Sequence, residues 1–318
     1  MKYSIGIDIG GTNTVSGLVD ENGNILSSFS FSTKDYDYLE TYLEEITDSI
    51  IGLIIKCDDK ESIQGIGIGA PNGNYYHGTI EHAPNLKFKG IIPVKEHIER
   101  KLSEKGYHYN VTITNDANAA ALGEMIYGGA KGMKDFMIIT LGTGVGSGIV
   151  VDGRLVYGSD GFAGEVGHTI VQAEGRLCGC GRKGCVETYS SVTGVTKTAI
   201  ELLEASNTPS LLRNIPHDKI GGHTIYEAAL KGDKIALQCF DVAAKMLAIG
   251  MANAVAVTSP KKIFLFGGLT KAEDILMIPL KKYFEENLFV VFQNKIELEI
   301  SSLNENNAAI LGAAALTF

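Results

Sequence analysis

Three of the five cysteines, Cys178, Cys180 and Cys185, crowd into one stretch, GFAGEVGHTIVQAEGRLCGCGRKGCVE, running from Gly161 to Glu187. His168 precedes them. Thiolates and a neutral imidazole are the ligands zinc prefers, and four of them close a tetrahedral structural site. Gly179, Gly181 and Gly184 separate the sulfurs and allow the sharp turns that aim them at one point. A C-x-x-C redox pair is absent, because the first spacing is C-x-C and the next is longer. Glu165 and Glu187 flank the cluster. A metal-braced core holds such carboxylates where a polyol can donate hydrogen bonds to them; the alternative is two solvated surface acids.

A second kind of chemistry is suggested by glycine tips. Gly10-Gly11-Thr12-Asn13 follows an apolar strand pattern, and Gly142-Thr143-Gly144 follows another. Neither matches a known phosphate fingerprint. A P-loop requires a Gly-Lys pair that the chain lacks, and G-x-G-x-x-G fails because Ser147 stands in its last position. Any phosphate is therefore held by backbone N–H groups at two hairpin tips, unless the tips are hairpin geometry alone. Asp8, just before the first tip, either holds Mg²⁺ through water or bonds its own turn. Asp116 ends one strand and begins a helix. It serves as the helix N-cap, or Asn115 caps and Asp116 is free to take a proton from an alcohol as a phosphoryl group arrives. Asn72 and Asn85 lie in GAPNG and APNL loops, where an amide suits sugar hydroxyls or shapes the loop.

The elements that carry these residues read as α/β. Strands are expected at 3–9, 14–20, 25–32, 63–69, 111–114, 136–141, 145–151, 154–157, 262–266 and 295–301. Helices are expected at 39–55, 91–105, 115–128, 191–205, 224–231, 233–257, 273–287 and 306–316, with 206–223 a loop. IGIDIGGTNTVSGLVDENG and DFMIITLGTGVGSGIVVDG share one pattern, with Gly11-Thr12 falling on Gly142-Thr143. A duplication of this size means two similar α/β domains. Their expected bounds are 1–115 with 303–318, and 116–302.

A net charge of −9 argues against a nucleic-acid-binding surface. No signal-peptide pattern opens the chain, and the longest apolar run, Met246 to Val257, is too short to span a bilayer. Cys57 and Cys239 are isolated, which suits a reducing compartment better than a disulfide framework. A cytoplasmic protein is expected, without membrane or nucleic-acid partners.

The segment G-E-x-G-H followed by C-x-C-G-x-x-G-C-x-E resembles the signature of the ROK family of repressors and sugar kinases, matched at every position. DIGGT at 8–12, GAP at 69–71, APNL at 83–86, NDANAAALGE at 115–124, LGTGVGSG at 141–148 and Gly267-Gly268 are similar to the family's other motifs. The resemblance implies a two-domain actin-like ATPase (ribonuclease H-like) fold with an interdomain cleft, the last helix crossing back to the first domain. It implies ATP-dependent phosphorylation of a hexose, foremost glucose to glucose 6-phosphate; N-acetylglucosamine, N-acetylmannosamine, mannose and fructose are the alternatives. By carry-over Asp116 is the general base, and Asn85, Asn115, Asp116, Glu165, His168 and Glu187 hold the sugar. Asp8, Gly10, Gly11, Thr12, Asn13, Gly142, Thr143, Gly144, Gly267 and Gly268 face ATP with Mg²⁺, while His168, Cys178, Cys180 and Cys185 bind zinc. A homo-oligomer, dimer or tetramer, is expected. Asn13 stands where Lys is frequent, Phe88 where Trp is frequent, and GAPNGNYYHG is longer than the usual turn. A sugar-sensing repressor is disfavoured, since Asp8 lies near the first residue and leaves no room for a helix-turn-helix. An actin-type or chaperone-type switch leaves the cysteine cluster unexplained.

Overall fold

A computed structural model describes residues 1–318, the side chain of Asn306 apart. By proximity the chain forms two compact units. The first comprises Met1–Lys134, Gly148–Gly164 and Ser301–Phe318; the second comprises Asp135–Ser147 and Glu165–Ile300.

The strands in chain order are β1 (Tyr3–Ile9), β2 (Asn13–Asp20), β3 (Ile25–Ser32), β4 (Ile63–Ala70), β5 (Gly73–Asn74), β6 (Thr79–Glu81), β7 (Ile91–Ile92), β8 (Val111–Asn115), β9 (Phe136–Leu141), β10 (Val145–Val151), β11 (Arg154–Leu155), β12 (Lys262–Phe266) and β13 (Glu297–Ile300). The helices are α1 (Leu39–Lys56), α2 (Val94–Glu104), α3 (Asp116–Tyr127), α4 (Glu187–Ser190), α5 (Val192–Ala205), α6 (Gly222–Leu230), α7 (Lys234–Thr258), α8 (Asp274–Asn287) and α9 (Glu305–Ala314). Two five-stranded sheets have the orders β3-β2-β1-β4-β8 and β11-β10-β9-β12-β13, the same topology twice, as the repeated pattern requires. In the first sheet β1 pairs antiparallel with β2 and parallel with β4, and β4 pairs parallel with β8. In the second, β12 is parallel to both β9 and β13. Parallel pairs put strand C-termini at one edge, where α/β proteins place their ligands.

Small residues explain how the first unit closes. The sheet positions Gly6 and Gly67 lie against α9, and a Cβ at either would collide with the carbonyl oxygens of Ile310 and Ala313 respectively. Helix α3 also packs tightly on α9: a Cβ on Gly123 would lie 3.1 Å from Gly312 Cα. Helix α3 thus belongs with the first unit, and the boundary expected at residue 116 does not coincide with the compact unit. A strand-to-helix junction looks like a seam in sequence, but the alanine and glycine face of α3 can be buried only against another small-residue helix. Helix α2 is shorter than expected because Pro93 imposes extended backbone on Ile92, leaving the short strand β7. The small sheet β5-β6-β7 had no sequence expectation.

The second unit is organised on α7. It is long and apolar enough to cross a membrane by length and composition alone, but 61 % of its most apolar window is buried. It packs on α4, α5, α6 and α8, as the core helix of a globular unit does.

Because backbone cannot move aside as a side chain can, Gly67→Ala should lower stability by about 3 kcal/mol. Denaturant melts of the two proteins check this; equal midpoints would contradict the contact with α9.

Candidate functional site

In the second unit, residues 165–187 carry little regular structure. Hydrogen bonds and ligand-type side chains do the positioning. Isolated bridges pair Ile170 with Cys185 and Leu177 with Lys183. Gly184 has a φ of +79°, and a Cβ there would collide with the Gln172 carbonyl. The Arg182 side chain donates to the His168 carbonyl at 2.8 Å, and the Cys178 N–H donates to the Arg182 carbonyl at 2.8 Å. One ligand atom from each of His168, Cys178, Cys180 and Cys185 then falls within 4.8 Å of every other. Cys180 Sγ and Cys185 Sγ are 3.6 Å apart, and Cys178 Sγ is 3.6 Å from His168 Nδ1. A tetrahedron with metal–sulfur bonds of about 2.3 Å has sulfur–sulfur edges of about 3.8 Å. The donor set and its spacing are therefore compatible with a structural metal.

The thiols differ in their readiness to ionise. Burial opposes ionisation of Cys180, but the N–H and side chain of Arg182 outweigh it and draw the thiol down to about 6. Burial pushes Cys178 up to about 12, with the neighbouring sulfurs adding to it. Arg182 is thus part of the cluster's support, a role that its residue type alone does not mark. Its position inside the cysteine loop was the available signal.

His168 points its other nitrogen outward: Nε2 lies 4.0 Å from Glu165 Oε2. A metal-ligating histidine commonly offers its second nitrogen to a carboxylate, which fixes the ring. Glu187 begins α4 and has two neighbours. Its Oε2 accepts from the Val145 N–H at 3.0 Å, and its Oε1 lies 3.8 Å from Cys178 Sγ. Gly144 abuts Glu187 Oε2 so closely that a Cβ has no room. One carboxylate therefore ties the cysteine loop to the glycine tip between β9 and β10. The tip is further held by the Val192 N–H on the Gly142 carbonyl at 2.9 Å and by Thr193 Oγ1 on the Thr143 carbonyl at 2.9 Å. Gly267, at φ +109°, sits where a Cβ would lie 2.8 Å from the Leu141 carbonyl. Gly267-Gly268 and Gly142-Thr143-Gly144 thus occupy neighbouring strand ends, since Phe266 pairs with Thr140.

In the first unit, the other half of the expected residues gathers at the ends of β1, β4 and β8. Asp8 pairs with Gly69, and Ala70 with Asn115. Gly69 leaves open the space between the acids, a Cβ there lying 3.8 Å from Asp8 Oδ1 and 3.9 Å from Asp116 Cα. Asn115 is the N-cap of α3, its side chain accepting from the Ala117 N–H at 2.8 Å. Asp116 Oδ1 shares that donor at 2.8 Å. Asp116 remains exposed to solvent, yet desolvation by surrounding protein raises its carboxyl above the usual range. Asp8 is half-buried and pushed to about 7 by desolvation and by the charge of Asp116. The first glycine tip closes with the Gly10 N–H on the Asn13 carbonyl at 3.0 Å, and Thr33 Oγ1 donates to Gly10 O at 2.8 Å. Gly11 is pressed against the backbone of Asn85, a Cβ there falling 3.1 Å from Asn85 Cβ, so the APNL loop lies against the tip. Asn72 proves to be a loop-shaper: at φ +52° it donates from Nδ2 to the Glu81 carbonyl at 2.9 Å.

These features invite comparison with known proteins. The ROK family model matches residues 4–318. The glucokinase of Halalkalibacterium halodurans is 33 % identical over 99 % of this chain and 94 % of its own length. The structure of a ROK family glucokinase from Streptomyces griseus, in complex with glucose and AMPPNP, superposes with a TM-score of 0.81 at 33 % identity, covering 99 % of each chain. The xylose repressor of Caldicellulosiruptor bescii is 28 % identical over 98 % of this chain and 77 % of its own length. With a family model spanning almost every residue and a glucokinase fold that superposes end to end, the chain belongs to the ROK family.

Proposed function

We propose that this protein is an ATP-dependent hexose kinase that converts glucose to glucose 6-phosphate with Asp116 as general base. The observation that carries it is the arrangement of Asp116 beside Asp8 at the ends of parallel strands, with Asn115 taking the helix cap. In the reaction the sugar hydroxyl oxygen forms a bond to the γ-phosphorus. The bond from that phosphorus to the bridging oxygen breaks, ADP leaves, and the hydroxyl proton passes to Asp116. A carboxylate raised above its usual range is better matched to that transfer near neutral pH. Asp8 would hold, through water, the magnesium that accompanies the nucleotide, and that ion would neutralise phosphate charge. The tips at 10–13 and 142–144 offer backbone N–H groups to its phosphates, and Gly267-Gly268 gives room for the adenosine. Asn85, Asn115, Glu165, His168 and Glu187 accept and donate hydrogen bonds to the hexose. Zinc on His168, Cys178, Cys180 and Cys185 supplies rigidity, not a reaction step. Similarity to xylose repressors favours a second reading, a regulator that binds sugar without turnover. Coupled ADP release over a panel of hexoses and N-acetylhexosamines separates the two, since a regulator releases none.

Asp116→Asn should keep glucose affinity within about tenfold and reduce turnover by about 10²–10⁴-fold; unchanged turnover removes the base assignment. Cys180→Ser should lose zinc, read by metal analysis, and melt roughly 5–10 °C lower. A full zinc complement in that variant contradicts the ligand set. The raised carboxyl of Asp8 means that the folded state binds more protons than the unfolded one between about pH 4 and 7. Its contribution to stability is present below the unfolded value and is lost as pH rises through about 7. Asp8→Asn should therefore stabilise the nucleotide-free protein by roughly 2 kcal/mol at pH 8 and by nothing near pH 4. Melting curves at the two pH values check the sign.

A further inference from the structure

The turn after β4 is longer than a change of direction needs, and it is aromatic. Asn74, with no exposed surface, fastens it. Its Oδ1 accepts from the N–H groups of Tyr76 at 3.0 Å and His77 at 3.1 Å, and its Nδ2 donates to the Asp160 carbonyl at 2.8 Å. Tyr76 Oη donates to the Gly158 carbonyl at 3.0 Å. These bonds lay Tyr75 flat on Tyr157, ring centroids 4.2 Å apart and planes 14° from parallel. Tyr76 stands edge-on to both, at 5.6 and 6.1 Å. Tyr75 and Tyr76 nevertheless stay 40 % and 54 % exposed. Rings recruited for core stability are covered, whereas these are held rigidly and shown to solvent.

Their place is informative. Tyr157 lies close enough to Thr114, two residues before Asp116, for the threonine side chain to act on its hydroxyl. Ala70, just ahead of the aromatic turn, pairs with Asn115, and Gly73 backs onto the Thr114 carbonyl. The stack therefore adjoins the strand end that presents Asn115 and Asp116.

We propose that the Tyr75–Tyr157 stack is a sugar subsite in which the open face of Tyr75 lies against the C–H face of the acceptor pyranose. This rests on the kinase reading for the identity of the acceptor. The negative face of an aromatic ring attracts the partly positive C–H bonds of a sugar. β-Glucose, with every ring hydroxyl equatorial, offers axial C–H bonds on both faces; mannose at C2 and galactose at C4 interrupt the same face with an axial hydroxyl, so the face assigned to Tyr75 is the one that carries the C2 and C4 hydrogens. Tyr75 is accordingly a specificity-determining residue that favours acceptors with axial hydrogens at both C2 and C4.

The test compares wild type, Tyr75→Phe and Tyr75→Leu by calorimetric sugar affinity and by steady-state kinetics. Phe keeps the flat ring and should hold glucose affinity within about twofold, while Leu should weaken it roughly fivefold. The KM for ATP should not change, and the preference for glucose over mannose should narrow in the Leu variant. Glucose affinity unchanged in Tyr75→Leu, or glucose, mannose and ATP weakened in equal proportion, overturns the proposal. The chain has no tryptophan, so tyrosine emission of the wild type gives an independent reading: glucose that binds without perturbing it also counts against the stack. Wild type that binds glucose but releases no ADP ends the kinase reading alone, and the Phe and Leu affinities still decide the subsite. Wild type that binds no hexose ends both.

Discussion

Three sulfurs and an imidazole nitrogen held within 4.8 Å of one another form the constraint on which the loop from Glu165 to Glu187 depends. Such a cluster is costly unless a cation neutralises it, since thiolates repel and buried thiols resist ionisation. With a cation it does what secondary structure does elsewhere. From Glu165 to Cys185 the chain has one short helical turn and two isolated bridges, so ligand-type contacts replace a hydrogen-bonded ladder. His168 and Glu165 are oriented at one side of the cluster, and Glu187 at another.

The first unit meets the same need, a fixed carboxylate, by different means. Asp116 is placed by regular structure: a parallel strand ends, Asn115 caps the next helix, and the acid is presented beside Asp8. The cost is electrostatic. Desolvation raises the proton affinity of both acids, and the charge of Asp116 raises that of Asp8 further. That cost is consistent with a site that receives positive charge and a proton, because such a site is less stable empty than a neutral one.

Glu187 connects these themes within the second unit. A single side chain accepts from the backbone of the β9–β10 tip and touches the cysteine cluster, which makes the geometry of the tip depend on the cluster. The tip in the first unit instead leans on Thr33 and on the APNL loop. The duplicated topology therefore conserves strand order while the bracing of each tip is independent.

The sequence by itself determined the element types, the repeated strand pattern and the chemical kit. Apolar periodicity, turn glycines and the cysteine spacing are local signals, each read within a few residues. It put Asp8 at a strand end, Asp116 at a strand-to-helix junction and the four ligand-type residues in one loop. Tertiary structure alone decided the rest: that α3 packs with the first unit, that Asn72 is spent on the Glu81 carbonyl, that Glu187 holds the Val145 N–H, and that Tyr75 stacks on Tyr157. The physical reason is common to all four. They depend on backbone groups or flat rings meeting across many residues, and every residue carries a backbone N–H and carbonyl, so nothing in residue type marks which pair will meet.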